Sequence, residues 1–289
     1  MKAAKVSYQR ASSLTEVLEL LASDSDVRPL AGGQSLLPML NMRLLRPELL
    51  VDLAEVSELR GVRHEGDRLA LGALVTYREL ERSPVVEAAA PLLATAVGFV
   101  GDLQVRNRGT VGGSLAQADP TAELPLGCLV LGGEVTLASL RGTRRLALSD
   151  FLVGPYETSI EPDELVTGVD VSARPGRHAF DEATRRHNDF AIVSAAAFGR
   201  LAPDGTFSDL TVGFGGVADT VVLAPAAAGL LVGQRPEPDV LAAAAAACQE
   251  EISPVSDTRA SADYRRHLAG EYLRRVVGRL ASTDEVRAA

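Results

Sequence analysis

Apolar and polar positions change their rhythm three times along the chain. Near the start, Leu14, Val17, Leu18 and Leu21 recur at helical spacing, and Ser13 with Glu16 three residues on has the spacing of a capping box, so the stretch predicts an amphipathic helix. "DVRPLAGG" then reads as a short strand running into two glycines, a short apolar helix follows, and "ELLVDL" reads as another strand. The glycines thus stand at a helix entrance.

From about residue 58 the pattern mixes periods. "RLALGALVT" predicts a strand, "TYRELERS" a capped short helix, and "PVVEAAAPLLATAVGFVG" one longer helix ending at glycine. A second glycine loop follows in "RNRGTVGGSLAQADPTAELP", then a buried helix around "AELPLGCLVLG" and strands at "EVTLAS", "RRLALS" and "ELVTGVDVS". Asp119 and Glu123 stand four apart here. They can cap the helix, with Pro120 at its first position, or form a carboxylate pair for acid–base work.

Beyond about Ala173, "SAAAFGRLAPDGTFSDLTVGFGG" predicts an antiparallel hairpin turning at Pro203, Asp204 and Gly205. Two helices dominate the remainder, alanine-rich 239–251 and Asp257 to Leu280. The second puts Tyr264, Leu268, Tyr272, Leu273, Val276 and Leu280 on one side and arginines largely on the other. Three blocks, 1–57, 58–172 and 173–289, therefore predict an α+β protein, and 289 residues suit two or three domains of roughly 100 to 200 residues each.

Composition narrows the function classes. Hydrophobic residues make up 46% and charged residues 23%, and no apolar run approaches the roughly 18 residues that span a membrane. "MKAAKVSYQRASS" lacks the apolar centre of a signal peptide, so a cytoplasmic protein is expected. A net charge of −9, from 29 basic and 38 acidic residues, offers nucleic acid no general attraction, and the arginines of "YRRHLAGEYLRRVVGRL" read as a solvated helix face. Cys128 and Cys248 are far apart in apolar surroundings and read as buried free thiols, whereas an iron–sulfur cluster needs about four cysteines. His64, His178, His187 and His267 have no partner at a metal-binding interval. No G-x-x-x-x-G-K-S/T loop occurs. "GFGGVA", Gly213 to Ala218, matches G-x-G-x-x-A only weakly, because its strand belongs to a hairpin and no clean helix opens at the glycines.

The two glycine pairs carry the chemistry. Glycine removes the Cβ that would block a ligand, and N–H groups at a helix start point outward at the positive end of the dipole. Either pair alone is also an ordinary strand-to-helix turn. Two of them, each beside small polar residues, suit a diphosphate held between two backbone clamps.

Together "AGGQSLLPMLNMRLLRPELLVDL" and "VRNRGTVGGSLAQADPTAELP" resemble the paired flavin-binding signatures of the FAD-binding medium subunit of molybdenum hydroxylases, the xanthine dehydrogenase family in its aerobic carbon monoxide dehydrogenase branch. "LGALVT", "DFLVGPYETSIEPDELV", "RRHNDFAIVSAAA" and "SDTRASADYRRHLA" extend the likeness over nearly the whole chain. The resemblance implies a vanillyl-alcohol-oxidase-type (PCMH-type) two-part FAD-binding fold, followed by a C-terminal α+β domain with an antiparallel sheet and helices. It implies that Ala31, Gly32, Gly33, Gln34, Ser35 and Leu36 wrap the pyrophosphate at the first loop, and Thr110, Val111, Gly112, Gly113 and Ser114 at the second. Asp119 and Glu123 fall at cofactor-contacting positions, where the family usually has aspartate at the second, and Val166 should approach the flavin ring. Asp189 matches the family's acidic residue. Phe190 stands where relatives place a tyrosine that covers or gates the ring; the alternative is that Phe190 fills the core at a strand start. Some relatives carry a lysine near the flavin where this chain reads Asp181, with Arg185 the nearest cation to replace it.

The implied function is electron transfer through FAD, with no acid–base catalytic side chain. The resemblance implies a large partner subunit that holds a molybdopterin cofactor and a small one that holds [2Fe-2S] clusters, in a dimer of heterotrimers. A stand-alone FAD-dependent oxidoreductase on the same fold, and a flavin-free scaffold, are the alternatives. Substrate and terminal acceptor lie outside what this chain encodes.

Overall fold

A computed structural model describes residues 2–23 and 25–282. The first block contains β1 (Ser7–Arg10), α1 (Leu14–Leu21), β2 (Val27–Leu30), α2 (Leu36–Asn41) and β3 (Leu49–Asp52). Its strands form a parallel sheet in the order β1-β3-β2. β1 has no clear apolar alternation, so its pattern did not announce it. At α1, Ser13 caps by accepting from Glu16 N at 3.3 Å, but the Glu16 carboxylate turns back to the N–H and hydroxyl of Ser12, at 2.8 and 3.0 Å. Val17, Leu18 and Leu21 are buried against this sheet.

The second block runs β4 (Val62–Glu65), β5 (Arg68–Gly72), α3 (Tyr77–Arg82), α4 (Pro84–Ala89), α5 (Pro91–Phe99), α6 (Leu103–Arg108), α7 (Val111–Gln117), α8 (Glu123–Val130), β6 (Glu134–Ser139), β7 (Gly142–Ala147), α9 (Leu148–Phe151), β8 (Leu152–Gly154), β9 (Glu157–Thr158) and β10 (Leu165–Ser172). Its main sheet is antiparallel in the order β4-β5-β10-β6-β7. Three sequence expectations fail here. The long helix predicted over 84–101 is two, broken at Ala90 (φ −150°, ψ 60°), because the residue before Pro91 is pushed out of helical geometry. The second "glycine loop" is α7 itself, with Gly112 and Gly113 in its first turn and Thr110 as cap. Asp119 caps no helix either: α8 starts after Ala122, and Asp119 instead accepts from the N–H and hydroxyl of Thr121 at 2.9 and 2.8 Å.

The third block comprises β11 (Arg177–Ala183), β12 (Val193–Leu201), β13 (Phe207–Gly215), β14 (Val222–Leu223), α10 (Pro225–Leu231), α11 (Pro238–Glu251) and α12 (Ala262–Ala281). The strands pair antiparallel in chain order, with the turn at Pro203 to Gly205 as expected. α12 begins at Ala262 rather than near Asp257, because Asp257 accepts from the N–H groups of Arg259 and Ala260 in a turn and Ser261 is the cap. Tyr264 is half exposed, and the buried charged residue of this helix is Arg265. One face of the sheet packs on α12, through Ala179, Val193, Ala195 and Ala197. The other face, with Phe180, Ala196 and Phe198, packs on the second block. α8 lies in that seam and is buried along its whole length. A Cβ on Gly213 would come within 2.9 Å of Val130 and 3.1 Å of Leu126, so glycine there is what lets α8 sit against the strand. This packing role, and not a dinucleotide fingerprint, accounts for that glycine.

Candidate cofactor site

The first glycine segment leaves β2 and turns into α2. Gly33 has φ +73°, a conformation that favours glycine. Among the described residues, no acceptor serves the backbone N–H groups of Gly32, Gly33, Gln34, Ser35 or Leu36. The Gln34 side chain donates to Gly32 O at 3.1 Å and braces the turn. Five main-chain donors are left without a protein acceptor among the described residues.

The second segment is built differently. Val111 N donates to Val75 O at 2.9 Å, Gly112 N to Ala73 O at 2.8 Å, Gly113 N to Thr110 Oγ1 at 3.2 Å and Ser114 N to Thr110 O at 3.0 Å. Its N–H groups are spent on holding α7 in place, so its offer to a ligand is a surface with little side chain. The two segments touch. An ideal Cβ on Gly32 would lie 1.9 Å from Arg108 O, and one on Gly113 would lie 2.8 Å from Thr110 Oγ1 and 4.0 Å from the Ala31 Cβ. Five unpaired donors close to the Gly112–Gly113 turn of α7 suit the two phosphates of a dinucleotide.

From α7 a chain of contacts leads to the third block. Ala118 closes α7 in the left-handed region (φ 49°) and its carbonyl accepts from Tyr156 N at 3.0 Å. Tyr156 OH donates to Asp119 Oδ2 at 3.4 Å, and burial, then the Asp119 charge, raises its pKa, while Arg259 opposes that rise. Arg259 in turn pairs with Asp189 at 3.2 Å, donates to Phe190 O and lies 5.7 Å from the centre of the Phe190 ring. The Phe190 side is on the surface, 64% exposed, which removes the alternative of a core residue. Arg185, Arg186, Asp189 and Arg259 line a cavity of about 520 Å³. Asp181 is bound to Arg279 at 2.7 Å, on the α12 face of its strand.

Val166 is 4% exposed with its side chain in the second core, so that position reaches a ligand only through its backbone, beside the bulge between Val166 and Gly168. Gly112 N reaches β10 through Ala73, whose own N–H donates to Thr167 O at 2.9 Å. Glu123 lies behind α7, buried, and burial together with the Asp119 charge pushes its carboxyl up to about 7. Tyr77, under α7, is also raised, chiefly by burial. Sequence reasoning missed Tyr77, Tyr156 and Arg259. For Tyr156 a signal existed in "GPYETS", a loop motif without helical or strand period.

Residues 4–172 match the family described as the FAD-binding domain in molybdopterin dehydrogenase, and residues 178–280 match the CO dehydrogenase flavoprotein C-terminal domain. The chain belongs to this FAD-binding family. It is a flavoprotein oxidoreductase component of the medium-subunit type found in molybdenum hydroxylases, with FAD as its cofactor. Among relatives of this flavoprotein family, the nicotine 6-hydroxylase medium subunit of Paenarthrobacter nicotinovorans is 36% identical over 277 residues, covering 96% of this chain and 98% of that one. The carbon monoxide dehydrogenase medium chain of Afipia carboxidovorans is 35% identical, covering 94% and 95%. The structure of quinoline 2-oxidoreductase from Pseudomonas putida 86 superposes with a TM-score of 0.94 at 38% identity, covering 97% and 98%. The architecture is thus the two-part FAD-binding fold with its C-terminal α+β domain. Among the described residues no helix is long and apolar enough to cross a membrane.

Proposed function

We propose that FAD lies across the two glycine segments, its diphosphate taken by the N–H groups of Gly32, Gly33, Gln34, Ser35 and Leu36 against Thr110, Val111, Gly112, Gly113 and Ser114. Ala31 and Val166 line the path, Asp119 and Glu123 stand at the end of α7, and Asp189 and Phe190 border the cofactor from the third block. The carrying observation is the set of five unpaired main-chain donors close to Gly112 and Gly113 in the first turn of α7. Bound FAD supplies the exchange between one-electron input and two-electron output. This chain's residues hold the diphosphate, keep water from the cleft with Phe190 and Tyr156, and set the local charge through Asp119, Asp189 and Arg259.

In this reading the chain serves as the electron-transfer subunit of a heteromeric molybdenum hydroxylase in the cytoplasm. It receives electrons from [2Fe-2S] clusters of a small partner and passes them to an external acceptor, while a large molybdopterin-binding partner oxidises the substrate. The assembly is a dimer of heterotrimers. Support comes from relatives named as medium or FAD-binding chains, such as that of carbon monoxide dehydrogenase.

Gly33→Val and Gly113→Val test the cofactor site. At Gly33 a side chain must adopt φ +73° and crowd Leu37 and Leu30, and at Gly113 it meets Thr110 Oγ1. Both variants are expected to fold, by circular dichroism, and to lose FAD absorbance after desalting. Wild-type flavin content in Gly113→Val would overturn the assignment.

A further inference from the structure

The loop after β11 and the turn before α12 carry a surplus of positive charge on a chain whose net charge is −9. Their cavity is lined by three guanidinium groups, of Arg185, Arg186 and Arg259, against the one carboxylate of Asp189. Asp257, in the turn of Arg259, is taken by Arg265 at 2.7 Å. Two aromatic rings stand open beside these cations. Phe190 and, from the turn between β8 and β9, Tyr156 are both more than half exposed, and both are held by their backbones. Phe190 N–H donates to Asp189 Oδ1 at 2.9 Å, its carbonyl accepts from Arg259, and Asn188 before it has φ +60°. Tyr156 has φ +59°, and its N–H donates at 3.0 Å to the carbonyl of Ala118, itself at φ +49°. Gly216 brings the two segments together: its N–H donates to Pro120 O at 2.8 Å, next to the Asp119 that Tyr156 binds, and a Cβ on it would lie 2.4 Å from Ile192 O, two residues after Phe190. Left-handed backbone at residues other than glycine costs energy and gathers at functional sites. Three of the four such residues among those described, Ala118, Tyr156 and Asn188, stand here.

We propose that this surface docks a small acidic electron-carrier protein, with Phe190 and Tyr156 as the apolar centre and Arg185, Arg186 and Arg259 as the charged rim. The inference rests on the cofactor placement above, which puts the surface at the edge of the FAD cleft. A small-molecule pocket buries most of its ligand against apolar walls, whereas the residues that line this cavity are all charged and the rings lie outside on the surface. Aromatic residues and arginine are the side chains enriched where proteins meet, and a backbone already fixed lowers the cost of ordering them. Remote acidic residues are screened beyond roughly 8 Å at physiological salt, so the local surplus of positive charge governs the approach of an acidic partner. Phe190 in the reading above covers the cleft. A covered cleft admits a single electron, which crosses a short thickness of protein, but not a hydride, which needs contact. The carrier is the oxidant: each encounter takes one electron, two encounters clear a pair, and the accompanying protons go to solvent.

The test uses the purified full chain, with and without FAD, and titrates it by calorimetry with an acidic [2Fe-2S] ferredoxin, an acidic flavodoxin and basic cytochrome c. The acidic carriers are expected to bind in the micromolar range, and about ten-fold more weakly as salt rises from about 50 to about 200 mM. Replacing both cations of the loop, Arg185→Gln with Arg186→Gln, should weaken that binding about ten-fold and flatten its salt dependence. Phe190→Ala should weaken it about five-fold and leave the salt dependence intact. Arg63→Gln, on exposed β4, should bind the carriers as wild type does. Cytochrome c should not distinguish wild type from the double variant. Binding of neither acidic carrier, or equal affinity in wild type and double variant, would overturn the inference. So would inorganic phosphate or a nicotinamide dinucleotide that binds wild type, is lost in the double variant and is not displaced by either carrier, since that marks a small-anion pocket. A chain that docks a carrier but takes no FAD would defeat the cofactor placement alone, and one that holds FAD but docks no carrier would defeat this inference alone.

Discussion

At Gly32 one hydrogen stands between two loops. A methyl group there would sit 1.9 Å from Arg108 O and 3.1 Å from the Gly109 Cα, both backbone, so neither can move without displacing α6 or α7. Gly32→Ala is therefore expected to separate the loops, lowering both flavin content and melting temperature; full FAD occupancy with an unchanged melt would contradict the contact. Phe190 makes the opposite prediction. With its ring exposed and held by Arg259 from outside, Phe190→Ala should leave the melt unchanged while reduced flavin reoxidises faster with oxygen or a nicotinamide, read by stopped flow. Unchanged rates would end the idea of a cover. At this scale the glycine pairs were conspicuous in the sequence because each stands beside small polar residues. Arg259 was not, since a hydrogen bond to Phe190 O and a contact with its ring, 69 positions away in the sequence, bring it there, and neither leaves a periodic trace.

Elements were legible where period and cap agreed. α3 has both, with Thr76 and Glu79 bonded reciprocally at 3.1 and 2.7 Å. α5 was merged with α4 because alanine and leucine continue through a break that only Pro91 marks, and α6 was missed because its six residues hold two apolar side chains. α12 hides a different device. Arg265, 5% exposed, donates to Ile192 O and to Gly216 O at 2.9 Å and pairs with Asp257 at 2.7 Å, tying the helix to the end of the sheet and to the turn that carries Arg259. Arg265→Met strands the carbonyls of Ile192 and Gly216, a loss of about 2 kcal/mol or more. Urea denaturation should show it, and Arg266→Met, on a half-exposed pair, should show almost none.

For the molecule as a whole, the buried carboxyls shape the response to pH. Unfolded glutamates release their protons near pH 4.3, whereas Glu123 and Glu182 hold theirs to about 7 and about 8. Between those values the folded state binds more protons, so the stability they contribute is whole at acid pH and lost as pH rises through the folded values. The flavin-free melting temperature should decline from pH 6 to pH 9, and less steeply in Glu182→Gln; parallel curves would show that Glu182 does not carry the effect. The three larger sheets follow the changes of period in the sequence, but their mutual packing was not legible, because α8 is buried all round, with Glu123 its one charged residue, and gives no face to read. That helix also sets a rule for recombination. A chimera that splices the first 172 residues onto the third block of a relative inherits its own Leu126 and Val130 but a foreign strand beneath them. Any parent lacking glycine at the position of Gly213 would wedge the graft apart, so crossovers in directed evolution should fall before α8 or after β13, keeping helix and strand as one inherited cassette.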